Sequence, residues 1–322
     1  MLKNKEYKYL STNLILLISM IFAILVGSGF YGYGNDFYEA YYKPNLNWGG
    51  IFERLGWRIS TFTINETHIG VYIVTFVLAV TSGSLIREHI KFKHSYSLIF
   101  FLSLYLLAIH TWPIIMSTSN AMRQGLSMSF IFVSLVSSSR KNFYWTLLFS
   151  LLAIFTHKIG MLLVLILVLA NIVNNTLTSF SYKTKIIVNF SLGLFLLITA
   201  YYSLGILGFV FASSDGSRII GGDYRLPFVF ISCLFISLSF FYKDILNNSF
   251  NLYLYYFSFI SLSFFLNNLN WQYERLGMMM LIPYILSFGG LLNRFSYKIY
   301  LVLIFLALIF LTVFAGMYAS LN

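Results

Sequence analysis

Four polar side chains form a stripe on one face of a predicted apolar helix. Asn120, Arg123, Gln124 and Ser127 are spaced i, i+3, i+4 and i+7, which places them on the same side of an α-helix. Residues 117–120 read Ser-Thr-Ser-Asn, and all of these are good N-cap residues. The pattern therefore predicts a helix that begins close to Asn120 and carries an arginine in its first turn.

An arginine at that position is unfavourable by itself. A positive charge near a helix N-terminus opposes the helix dipole by a few tenths to about 1 kcal/mol. A bound anion would offset this cost, because the free backbone N–H groups, the positive helix end and the guanidinium fork all suit phosphate. Two alternatives stay open, in which Arg123 contacts lipid headgroups or pairs with Glu53 or Glu274.

The longest polar segment, residues 31–68, combines aromatic and charged side chains. Asp36, Glu53, Arg54 and Trp57 lie there among many tyrosines. Tyrosine and tryptophan are typical of the membrane interface. The alternative is a sugar-binding platform, in which aromatic faces stack on pyranose rings while carboxylates and arginines bind hydroxyls. Asp36 and Glu53 are the acidic candidates.

Two further clusters carry groups that suit catalysis. His157 lies in a turn between two short predicted helices, where it either caps a helix or contacts a headgroup, or else donates to a phosphate or transfers a proton. Tyr273, Glu274 and Arg275 lie at the predicted start of a later helix. Adjacent side chains on a helix diverge by about 100°, so Glu274 and Arg275 would serve different partners.

Composition excludes an ordinary soluble domain. Of the 322 residues, 59% are apolar, 20% are aromatic and only 10% are charged, which indicates a polytopic membrane protein. The net charge of +11 is scattered between apolar runs, a pattern typical of a membrane protein rather than of a nucleic-acid partner. With one cysteine and no His/Cys/Asp group at ligand spacing, neither an intramolecular disulfide nor a metal site is expected, and no cofactor is predicted.

The apolar runs predict about eleven membrane helices in a single domain over 1–322. Ten or twelve remain open, because the two runs within 143–173 are short for a bilayer of about 30 Å. The first run is interpreted as a retained span rather than a cleaved signal peptide. The predicted helices cover 12–30, 69–86, 95–113, 120–137, 143–156, 159–173, 186–211, 226–242, 250–267, 275–292 and 299–317.

Charge asymmetry predicts the orientation of these helices. With a cytoplasmic N-terminus, thirteen of the 21 Lys and Arg residues fall on the inner side, as the positive-inside rule requires. Seven of the ten acidic residues then fall outside. The predicted active face is outer and consists of the loops 31–68, 212–225 and 267–274.

The motifs resemble a known family. The segment NAMRQGLSMSFIFVSL, then LLFSLLAIFTHKIGMLLV, with DFYEAYY…FERLGWRIS before them and YER after them, is similar to the EpsG-like bacterial polysaccharide polymerases, relatives of the Wzy O-antigen polymerases. The resemblance covers most of the chain. It implies a multi-helix fold of the GT-C type. The long outer loop that many Wzy proteins have late in the chain is missing here.

The resemblance also implies a reaction and its residues. Such enzymes act in the bacterial inner membrane, at its periplasmic face, and transfer a growing glycan from undecaprenyl diphosphate to the non-reducing end of a lipid-linked repeat unit. A chain-length regulator and membrane lipids are the other expected partners. The expected catalytic residues are Glu53 or Glu274 as base, His157 assisting and Asp36 orienting the sugar. The expected substrate-binding residues are Arg123 and Arg275 on the diphosphate, together with Gln124, Arg54, Trp57 and Tyr273.

Two other functions fit a membrane protein of this kind. A lipid-linked glycan flippase or other transporter would be expected to carry ionisable or discontinuous sites near the midplane of the membrane. A membrane sugar O-acyltransferase with a cytoplasmic donor would need polar residues on the inner side. The acidic residues of this chain instead cluster at the predicted outer ends of the spans.

Overall fold

The computed structural model is almost entirely α-helical over the residues that it describes. These residues are 2–33, 37–42, 53–90, 95–211, 225–267 and 270–292, together with 306, 307, 309 and 310. The helices are α1 (Leu2–Gly27), α2 (Arg54–Ser60), α3 (Ile69–His89), α4 (Ser95–Ile109), α5 (Trp112–Ser119), α6 (Met122–Ser139), α7 (Phe143–Thr156), α8 (Lys158–Thr176), α9 (Tyr182–Phe211), α10 (Arg225–Leu238), α11 (Lys243–Asn247), α12 (Ser249–Leu266) and α13 (Asn270–Leu292). A π-helix (Phe37–Tyr41) precedes α2, and a hairpin of two short strands, β1 (Thr63–Ile64) and β2 (Thr67–His68), follows it.

Several of the described helices have the length and composition of membrane spans. Five qualify singly, and a sixth results if α4 and α5, which are bent by 54°, form one broken span. The chain is thus an all-α protein with apolar helices of membrane-spanning length. The count of about eleven spans and the GT-C arrangement stay predictions. The five single spans are Glu6–Gly27, Ile69–His89, Lys158–Thr176, Tyr182–Leu204 and Ser249–Leu266.

Each of the first ten predicted apolar runs contains a helix in the structure. The eleventh, 299–317, lies outside the described residues except for 306, 307, 309 and 310. Over 143–173 the structure has two helices, α7 and α8. They are separated by His157 alone, whose backbone is extended with φ −156° and ψ 140°.

The predicted helix start close to Asn120 is confirmed, since α6 begins at Met122, but the predicted N-cap residues are wrong. Residues 112–119 form a separate helix, α5, which Pro113 initiates, as the fixed φ of proline favours a first helical turn. The N–H groups of Asn120 and Ala121 both bond to the carbonyl of Met116 at the end of α5. Asn120 therefore closes α5, and Ala121 is the N-cap of α6.

The chain forms two compact units, of which the first comprises residues 1–164 and 295–322. Helix α6 lies at its centre and packs against α3, α5 and α7. Fourteen of its eighteen residues are buried. Gly125 permits the close packing of α5 on α6, because a Cβ there would lie 2.2 Å from the Ser117 carbonyl oxygen.

The antiparallel packing of α1 on α3 and the parallel course of α3 and α6 give this unit two distinct ends. At one end Arg140, which follows α6, pairs with Glu88 near the end of α3. The opposite end gathers α2, the start of α6 and the end of α7. This second end is where the predicted Arg123 and His157 lie.

The second compact unit comprises residues 165–294. Helix α12 packs against α9, α10 and α13, and it carries buried tyrosines within a polar network. The Tyr256 hydroxyl donates to Asn189 Oδ1, and Lys185 Nζ donates to Asn247 Oδ1 over 2.6 Å. These bonds satisfy polar groups inside an otherwise apolar packing. The single domain predicted over 1–322 stays a prediction.

Candidate functional site at the start of helix α6

Helix α2 and its N-cap carry two of the predicted residues, Glu53 and Trp57, and both contact a third, Arg123. Glu53, the N-cap of α2, and Trp57 are four residues apart and therefore lie on one face of the helix. Glu53 Oε2 and Arg123 Nη1 form an ion pair at a distance of 3.1 Å. The Arg123 guanidinium carbon lies 3.8 Å from the centre of the Trp57 ring. The structure thus brings Glu53, Trp57 and Arg123 together, although 66 residues separate Trp57 from Arg123.

The ion pair answers the question that the position of Arg123 raised. Pairing with Glu53 was one of the open alternatives, and it supplies the counter-charge that an arginine at this end of a helix needs. Both side chains keep 20% of their surface exposed, so the pair is accessible from outside. A bound anion is therefore no longer required to explain the position of Arg123.

The guanidinium keeps donor capacity beyond the ion pair. Arginine has five N–H donors in a fixed fork. Its Nε is buried and has no hydrogen-bond partner among the described residues. The N-cap of α6, Ala121, has no side chain that bonds the first turn. Among the described residues, the donors at the start of α6 therefore exceed what Glu53 accepts.

Gly56 is a residue of the site that the sequence interpretation missed. A Cβ at this position would lie 2.2 Å from the Thr156 carbonyl oxygen and 3.2 Å from Arg123 Cγ. A glycine is thus what lets α2 contact the end of α7 and the stem of Arg123 together. A glycine between an acid and a tryptophan in a short helix, as in ERLGWR, is the sequence signal that marks it.

His157 follows Thr156 directly and links the site to helix α8. Its Nδ1 accepts a hydrogen bond from the Ile159 N–H at 3.2 Å, so His157 caps α8. Because Nδ1 is the acceptor, the neutral ring carries its proton on Nε2. The imidazole is buried, with 7% of its surface exposed. The capping bond uses Nδ1, and the donor or acid role predicted for His157 stays a prediction.

Trp57 does not present an open face. Only 9% of its surface is exposed, because Arg123 covers the ring and Tyr41 packs against it with ring centres 5.5 Å apart. In this arrangement Trp57 positions Arg123, and its predicted contact with substrate stays a prediction. Tyr41 is a second residue of the site that sequence reasoning missed.

The more exposed aromatic side chains lie beside this cluster. Tyr38 and Tyr42 are about half exposed, and the Tyr42 ring lies 4.9 Å from that of His68. Burial lowers the pKa of His68 below its ordinary value, since desolvation disfavours the charged imidazolium. Its buried Nδ1 has no hydrogen-bond partner among the described residues. Neutral His68 is therefore part of an aromatic packing.

The remaining predicted residues lie in different surroundings. Arg54 is exposed on α2, and Gln124 is buried in the first turn of α6. Asp36 and the loop 212–224 lie outside the described residues.

The late cluster is placed by its backbone only. Tyr273, Glu274 and Arg275 belong to α13, but their side chains lie outside the described residues. Because α13 begins at Asn270, Glu274 lies in its second turn and not at the start of the helix, where the sequence predicted it. These residues belong to the second compact unit, so their participation in one site with Glu53 stays a prediction.

The described residues contain no group of three or more His, Cys, Asp or Glu side chains placed to hold a metal ion. Comparison with family models, with curated proteins and with solved structures gave no match to this chain. What defines the class of protein is thus its own fold and site. It is an all-α protein with membrane-length helices and an arginine, carboxylate and tryptophan cluster at one end of its first compact unit.

Proposed function

We propose that this chain is a polysaccharide polymerase of the bacterial inner membrane. It would be a glycosyltransferase that moves a growing glycan from undecaprenyl diphosphate to the non-reducing end of a lipid-linked repeat unit. One observation carries the proposal: Arg123 is held by the Trp57 ring and Glu53 at the start of α6, with donors to spare. A fixed guanidinium at a helix N-terminus suits the diphosphate of a lipid carrier.

The chemistry requires a base and a stabilised leaving group. The acceptor hydroxyl oxygen attacks the anomeric carbon of the donor sugar, and its proton passes to a carboxylate, Glu53 or Glu274. The bond between the anomeric carbon and the phosphate oxygen breaks, and its electron pair leaves with the diphosphate. Arg123 stabilises the charge that develops there, with Arg275 as the second predicted cation and His157 assisting.

The site would face the periplasm. This follows from the charge asymmetry of the sequence, with a cytoplasmic N-terminus. The pair of Arg140 with Glu88, at the opposite end of the first unit, would then lie on the cytoplasmic side. A chain-length regulator and membrane lipids complete the expected partners.

The test is polymerisation of a defined lipid-linked repeat unit by the purified protein in vesicles. Arg123→Lys keeps the positive charge but loses the planar fork and its stack on Trp57. If two charged hydrogen bonds of roughly 1.5–3 kcal/mol each are lost, the rate falls by about a hundredfold or more. Arg140→Lys, which alters the ion pair at the other end of the same unit, should polymerise normally. Long polymer made by Arg123→Lys at the wild-type rate would refute the diphosphate assignment.

A further inference from the structure

We propose that Glu53 is an exchangeable counter-ion of Arg123: an incoming diphosphate takes its place on the guanidinium and releases the carboxylate into the site. This inference rests on the proposed function and concerns how the same site is regulated. Without ligand, the arginine is neutralised by the protein itself. With ligand, the charge of Arg123 is answered by the diphosphate, and Glu53 is free to approach an acceptor hydroxyl.

The donors of Arg123 make the exchange feasible. Glu53 is bound through Nη1 at 3.1 Å, and 20% of the Arg123 side chain is exposed, whereas Nε is buried without a partner among the described residues. A guanidinium binds phosphate most strongly through two parallel N–H bonds. A diphosphate that bonds to the remaining donors would bring two anionic groups onto one cation. Like charges at this separation repel each other, and the more highly charged diphosphate is the stronger competitor for the arginine.

The arginine and the carboxylate are held in different ways. Besides the ion pair, Arg123 stacks on Trp57 and contacts α2 near Gly56, so it has contacts that do not involve Glu53. Glu53 is the N-cap residue of α2 but makes no side-chain cap bond to it. Among the described residues the ion pair with Arg123 is thus the contact that holds the carboxylate, and its loss would let the Glu53 side chain rotate while the stack on Trp57 holds the guanidinium.

Binding of inorganic pyrophosphate to the full chain in detergent tests the exchange. Glu53→Gln removes the competing charge, so pyrophosphate should bind about three- to tenfold more tightly than to the wild type. Arg123→Gln should abolish this binding. Glu88→Gln removes the equivalent partner of Arg140 at the other end of the unit and should leave the affinity unchanged.

The outcomes separate the two proposals. Unchanged or weaker binding by Glu53→Gln, with binding still dependent on Arg123, overturns the exchange but leaves the anion site standing. Absence of pyrophosphate binding by both the wild type and Glu53→Gln overturns the anion site itself, and the exchange with it.

A second measurement uses the wild type alone and does not depend on a variant that folds. A carboxylate-modifying isoxazolium reagent, mapped by mass spectrometry, should label Glu53 several-fold more when pyrophosphate is present. Glu88, paired with Arg140, provides the internal reference and should not change. Equal or reduced labelling of Glu53 with pyrophosphate would overturn the exchange.

Discussion

Replacing Gly56 by alanine should displace α2 from α7 and so disturb the site without changing a charged group. The new Cβ would lie 2.2 Å from the Thr156 carbonyl oxygen. That oxygen belongs to the backbone at the end of α7 and cannot rotate away as a side chain would. To restore van der Waals contact, α2 and α7 must separate by about 1 Å.

The displacement determines the expected size of the effect. Overpacking of this kind costs about 1–3 kcal/mol, and the higher helix propensity of alanine returns less than about 1 kcal/mol. Since Glu53 and Trp57 move with α2, the 3.1 Å ion pair and the 3.8 Å stack on Arg123 both lengthen. A shift of about 1 Å in a positioned group can cost a hundredfold in rate. We expect a modest loss of stability and a loss of polymerisation of about ten- to a hundredfold.

The assay pairs polymer length with thermal stability of the purified protein. Gly193→Ala is the matched control, because the Cβ added there meets the Phe259 ring in the second unit, 2.5 Å away, rather than a backbone carbonyl. This control should polymerise normally once corrected for folded protein. If Gly56→Ala kept wild-type stability and activity, the contact of α2 with α7 would not be what positions Arg123.

Two further predictions concern the segment next to the site. Asn65 and Glu66 form the two-residue turn between β1 and β2 with φ of 45° and 66°, a conformation that favours glycine at the second position. Glu66→Gly should therefore raise the free energy of unfolding by up to about 1 kcal/mol in a thermal or denaturant melt. Glu66→Ala, which keeps the strained φ, should not. The lowered pKa of His68 means that its contribution to stability is present above the unfolded-state pKa of about 6.5 and is lost as the pH falls through the lower folded-state pKa. His68→Phe should remove this part of the acid sensitivity in melts from pH 7.5 to pH 5. An identical pH profile for the two proteins would contradict the packing of neutral His68.

The helices were predictable because their signal is local. A long apolar run is evident from composition, and ten of the predicted runs contain helices. The N-cap of α6 was not predictable, because three residues with good capping side chains, Ser117, Thr118 and Ser119, lie inside α5 instead. The hydroxyls of Thr118 and Ser119 both donate to the Ile115 carbonyl within that helix. A capping residue predicts a helix start only if the preceding segment is not itself helical.

Some members of the site were predictable, but Gly56, Tyr41 and the arrangement of the site were not. Glu53 and Arg123 could be identified by residue type and position, and their pairing was one of two alternatives. The role of Trp57 was not evident, because an aromatic residue near a membrane edge is equally suited to stack on a sugar, to lie at the interface or to support a cation. That choice depends on the approach of α2 to α7 at Gly56, a tertiary contact between segments a hundred residues apart.

The surroundings of α6 explain why Arg123 meets a protein carboxylate. An arginine that contacts lipid headgroups needs a helix whose first turn faces the lipid. Helix α6 is buried on nearly every side, and its buried serines, such as Ser127 and Ser134, allow neighbouring helices to approach closely, as small residues do in membrane proteins. Ser127 donates to the Ala153 carbonyl of α7 over 3.2 Å, which fixes α7 beside the start of α6. The first turn of α6 therefore faces α2 and α7, where the charge of Arg123 must be balanced either by Glu53 or by a ligand that competes with it.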